Sequence, residues 1–105
     1  MAGDLITFGA IVRYGAGVRK PLEVPQRVED PTAAVVVANP WTGQDMWLPK
    51  GAVVNVVNGV ATVSFTAPQS FRKATAKLRG FREYINPFTG NTFRVALASI
   101  TKENP

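Results

Sequence analysis

The feature that most constrains this chain is a turn that occurs twice. Asn39-Pro40-Trp41-Thr42-Gly43 returns as Asn86-Pro87-Phe88-Thr89-Gly90, 47 positions later. Proline presets φ for the first corner, the preceding Asn can accept from the backbone ahead of it, and Gly supplies positive φ where the chain turns back. Each copy has an apolar run beside it, Val35-Val36-Val37-Ala38 before the first and Phe93-Arg94-Val95-Ala96-Leu97 after the second. Both therefore read as β-hairpin tips. Because the flanking residues scarcely match, the repeat reads as one good turn used independently, rather than as an internal duplication.

The remaining strands follow from the same local logic. In Leu5–Tyr14, Ile6, Phe8, Ala10, Val12 and Tyr14 alternate with a more polar set, as in a half-buried strand, and Gly9 suggests a bulge or a close backbone approach. Ala33–Ala38 and Gln44–Leu48 flank the first turn. Ala52–Val57 and Val60–Phe65 are joined by Asn58-Gly59, the signature of a type I′ two-residue hairpin. Phe81–Ile85 and Asn91–Ile100 flank the second turn, and Thr101–Pro105 reads as a polar tail. Ser70–Arg79 reads as a short helix, with Ser70 as N-cap and Gly80 as terminator, in preference to the alternative of a strand, whose alternation is imperfect. Pro21, Pro25 and Pro31 exclude a helix or a sheet ladder from Arg19–Pro31, which reads as a long surface loop or as an arm that packs on a neighbouring subunit.

The expected fold is mainly β: a single domain over residues 1–105, a small barrel or sandwich of about seven strands built from hairpins, with at most one short helix. Hydrophobic residues at 46% and charged residues at 18% suit a globular chain. No apolar run approaches the ~18 residues of a membrane span, and no basic leader precedes an apolar segment, so an intracellular protein, or one in a particle assembled inside the cell, is expected.

Cysteine and histidine are both absent. That removes disulfides, the commonest zinc ligands, the commonest general base and any thiol nucleophile. No phosphate-binding glycine loop, nucleophile elbow or calcium loop is present. The expectation is a non-catalytic protein with no metal and no cofactor.

Charge points to a partner. The formal net charge is +5. All of it lies between Ser70 and Arg94, where Arg72, Lys73, Lys77, Arg79, Arg82 and Arg94 are opposed by Glu83 alone. Elsewhere basic and acidic residues cancel. Cations interleaved with aromatics suit a polyanion, most plausibly nucleic acid, the cations meeting phosphates and Tyr84, Phe88 or Trp41 stacking or anchoring an interface. The alternative is a structural subunit of a homo-oligomer or larger assembly. In composition the chain is like small coat, decoration or connector proteins of viruses and phages. Inhibition of a partner protein is a third reading, and a plain solubilising role for the cations is the simplest.

Overall fold

The computed structural model describes residues 3–73 and 79–103. They form β1 (Gly3–Tyr14), β2 (Ala34–Ala38), β3 (Asp45–Pro49), β4 (Val53–Val57), β5 (Val60–Pro68), β6 (Arg72–Lys73), β7 (Phe81–Ile85), β8 (Thr92–Ala96) and β9 (Ile100–Glu103). One antiparallel sheet runs β3-β2-β1-β5-β4, with β9 also on β1, and the second runs β6-β7-β8. The fold is mainly β, a small sandwich or barrel-like structure, as expected. Among the described residues, no helix is long and apolar enough to cross a membrane.

The long β1–β5 ladder, from Gly3↔Pro68 to Ile11↔Val60, is the spine. Alternation places Ile6, Phe8 and Ala10 of β1 and Ala61, Val63, Phe65 and Ala67 of β5 on its buried side. Met46, Leu48, Tyr84, Phe93 and Val95 close over them from the two hairpins. Asn58 and Gly59 have φ of 52° and 76°, as a type I′ turn requires. Gly9 lies in regular register with Thr62, and the irregularity of β1 against β2 falls instead between Val12 and Tyr14.

The 47-residue spacing extends far beyond the turn. Added to the bounds of β2, of β3 and of the 3-10 turn Lys50–Ala52, it gives β7, β8 and the 3-10 turn Leu97–Ser99. The β2–β3 register, Ala34↔Pro49 to Ala38↔Asp45, becomes the β7–β8 register, Phe81↔Ala96 to Ile85↔Thr92. β4 and β9 are likewise equivalent, and each crosses to the other half: β4 pairs with β5, β9 with β1. The matching pairs Val53↔Val63 and Ile100↔Ile6 define an approximate two-fold axis. It passes through the Thr7↔Ser64 pair, whose hydroxyls lie 3.3 Å apart. The repeat is thus two intertwined halves rather than one turn used twice.

The arm is where the halves differ. β2 and β3 turn Val36 and Trp47 away from the main core. Arg19–Pro31 folds back over them, placing Leu22 and Val28 on that second cluster. Lys20 donates to the carbonyls of Pro31 and Ala34 at 2.7 and 2.8 Å, and its ammonium lies 5.5 Å from the Trp47 ring centroid. At the equivalent positions of β7 and β8 stand two charged residues, Glu83 and Arg94, opposite each other in the ladder. The arm thus packs on its own chain.

Two further sequence expectations change. Ser70 begins no helix: Gln69–Phe71 is a 3-10 turn and Arg72–Lys73 a strand, while residues 74–78 lie outside the described residues. Thr101–Glu103 is part of β9 rather than a tail, because β1 offers it an edge.

Candidate functional site

Two cations of the basic stretch, Arg72 and Arg82, are drawn to a buried carboxylate between the halves. Asp4 is fully buried and accepts a two-pronged bond from Arg72, Nε to Oδ2 and Nη2 to Oδ1, both at 2.6 Å. The Tyr84 hydroxyl donates to Asp4 Oδ2, and Arg82 Nη1 lies 4.0 Å from the same oxygen. A carboxylate buried on β1 is thereby paired with groups from β6 and β7, bracing one sheet to the other. Burial and the hydrogen bond to Asp4 push the Tyr84 phenol up to about 12, with Arg82 pulling the other way.

This corrects the expected role of Tyr84. It is buried, stacked on Phe93 at 5.8 Å between centroids, and presents no face for a base. Trp41 and Phe88 also fold inward from their turns. Their rings meet Phe8 and Phe65 edge-on at 5.2 and 5.5 Å, and both are part of the core margin. A hairpin tip over a sandwich lays its aromatic on the nearest apolar surface, which here is the protein's own. Arg94 is half-buried opposite Glu83. Lys73 and Arg79 are exposed, and Lys77 lies outside the described residues. Of the six cations, two are thus drawn to Asp4 and one lies beside an acidic partner.

The repeated turns are braces as well. Asn39 is buried, and its Oδ1 accepts from the amides of Trp41 and Thr42 at 2.8 and 3.1 Å. Its Nδ2 donates to the carbonyl of Arg94 at 2.8 Å. Asn86 reciprocates: Oδ1 accepts from the Phe88 amide at 2.8 Å and Nδ2 donates to the carbonyl of Trp47 at 3.4 Å. Each turn clamps the other hairpin at symmetry-related carbonyls. Asn39→Ala is expected to cost about 2–3 kcal/mol and Asn86→Ala about half that, since the latter loses fewer and longer bonds. Urea midpoints of the two variants check the ranking, and equal losses would reject it.

No family model, curated protein or solved structure matches this chain. No cluster of three potential metal ligands occurs among the described residues.

What stands out is apolar surface. Ile11, Val54, Val56, Val57 and Val60 are each between 48% and 64% exposed. Ladder pairing sets Ile11 beside Val60 and Val60 beside Val57, a continuous row across β1, β5 and β4. β4 is also the sheet's edge. Edge strands ordinarily carry charges, and this one carries none; its one irregularity is Asn55, at a φ of 66° between Val54 and Val56. Contiguous exposed apolar side chains are uncommon on an edge strand.

The other half of the fold acts as an internal control. Where the first half has Val54 and Val56, the second has Thr101 and Glu103. Where one end of the spine has Ile11↔Val60, the other has Gly3↔Pro68. The architecture thus holds without valine or isoleucine at these places. A signal for this surface was present in the sequence: no charged residue occurs from Gly51 to Phe71, the longest such run in the chain.

Proposed function

We propose that this protein is a non-catalytic structural subunit of a larger protein assembly, docking through the valine hairpin of β4 and β5. The observation that carries this reading is the row Ile11, Val60 and Val57, exposed on the sheet where the places matching Ile11 and Val60 hold Pro68 and the buried Gly3. The other half forms the same ladder with Gly3 and Pro68 at the matching places, and contiguous exposed apolar side chains are a common feature of protein contacts.

Polyanion binding comes second. Lys73 and Arg79, both exposed, favour it. Against it, Arg72 and Arg82 approach a buried carboxylate and Tyr84 is inaccessible.

Solution mass by light scattering, at low and high salt and with and without a short single-stranded oligonucleotide, separates the two. The expected result is association that ignores the oligonucleotide and survives high salt. A chain that changes mass only with oligonucleotide, and loses the complex as salt rises, would reject the assembly reading in favour of the polyanion.

A further inference from the structure

We infer that the cleft between the arm and β3 is a binding site for a small organic anion, an apolar body carrying one carboxylate. The inference is independent of the assembly reading, because no residue of the valine hairpin lines this cleft.

The cleft has a volume of about 350 Å³. That is at the lower end of the ~300–1,000 Å³ usual for small-molecule sites, and it suits a body of one or two rings. Three parts of the chain meet there: residues 27–30 of the arm, the end of β3, and the second turn. Val28, Trp47, Leu48, Pro49 and Phe88 supply apolar lining.

The charge of the ligand follows from which lining groups are already engaged. Four charged residues line the cleft, Arg27, Glu29, Asp30 and Lys50. Asp30 accepts from the Thr32 hydroxyl at 2.7 Å and from the Thr32 amide at 3.2 Å. Those bonds, with the Lys20 charge adding to them, hold its carboxyl below the usual carboxylate range. Asp30 is thus committed to shaping the arm. Among the described residues, Arg27, Glu29 and Lys50 make no side-chain hydrogen bond or ion pair. Two uncommitted cations therefore stand against one uncommitted acid, and a single carboxylate makes up the difference.

Packing carries Arg27 to this place. Its Nε, Cδ and Cζ lie 3.0, 3.2 and 3.2 Å from where a Cβ on Gly90 would stand, and the φ of 81° at Gly90 suits glycine alone. Arg27 thus reaches the second turn, two residues from Phe88, and a guanidinium there offers the fork that a carboxylate fits. The residues matching Trp47 and Lys50 in the other half are Arg94 and Leu97, so the repeat does not supply this combination a second time.

An NMR titration of the full-length chain with three probes of one shape, naphthylacetate, naphthylacetamide and naphthylethylamine, tests this. The expected result is saturable shifts of the Trp47 indole N–H and of the Val28 and Leu48 amides, with the acid binding tightest and the amine weakest. Raising salt is expected to weaken the acid and not the amide. Arg27→Gln and Lys50→Gln are each expected to weaken naphthylacetate about fivefold, with naphthylacetamide binding and the thermal midpoint unchanged. Glu29→Gln is expected to tighten the acid. Equal affinity for acid and amide, or tightest binding of the amine, would overturn the anion. No saturable shift at these residues with any of the three would overturn the site.

Discussion

Asp4→Ala is expected to destabilise the protein by about 3 kcal/mol, the lower end of the ~3–5 kcal/mol typical of breaking a buried ion pair. The cost arises because Arg72, Arg82 and the Tyr84 hydroxyl were arranged around a carboxylate that is gone. It stays at the lower end because the Arg72 and Arg82 side chains keep 23% and 29% of their surface exposed and can partly rehydrate. Arg72→Ala and the double variant complete a thermodynamic cycle, in which a large coupling energy is the expected signature of the pair. An Asp4→Ala protein whose urea midpoint lies within experimental error of the wild type would show that the brace carries no stability.

The same cluster gives the protein an alkaline limit. The folded-state pKa of Tyr84 is raised, from about 10 to about 12, so the native state favours the protonated phenol. That contribution is fully present below pH 10 and is lost as pH rises from about 10 through about 12. Its size is roughly 2–3 kcal/mol at about 1.4 kcal/mol per pKa unit. Stability measured across that interval is expected to fall in the wild type. In Tyr84→Phe the fall should be much shallower, from a baseline already lowered by the lost hydrogen bond. Parallel curves would place the alkaline transition elsewhere.

Trp47→Ala is expected to be at least as damaging, at about 3–5 kcal/mol. Trp47 is buried between β2 and the arm, against Val36, Leu22 and Val28, with the Lys20 ammonium over its ring. Its removal leaves a cavity under a segment with no strand of its own, and a domain of this size loses roughly 4–8 °C per kcal/mol. Excising residues 20–30 removes the other side of the same contact. The expected product is an aggregating chain with Trp47 exposed, read by red-shifted tryptophan emission. A folded excision variant with native emission would mean that the arm is dispensable.

The hairpins were legible because turns and strands are encoded locally. Asn58-Gly59 and the two Asn-Pro turns each specify backbone angles within a few residues, and alternation in Leu5–Tyr14 assigns the buried face whatever packs on it. Three things were not legible, for one shared reason. Asp4 meets Arg72 and Tyr84 across separations of 68 and 80 residues, and no local pattern marks a surface Asp as one that will be buried. Trp41 and Phe88 looked exposed because they sit at turn tips; whether a tip leans inward depends on the sheet beneath it. The kinship of the two halves was hidden because packing conserves position rather than identity: Val37 and Tyr84, Met46 and Phe93, and Leu48 and Val95 occupy matching buried sites with different side chains. The sequence alone thus settled the β class, the hairpin tips and the lack of thiol and imidazole chemistry. Which cations are neutralised, which aromatics are covered and which valines are left bare was set by contacts between distant strands, and only the assembled fold brings those strands together.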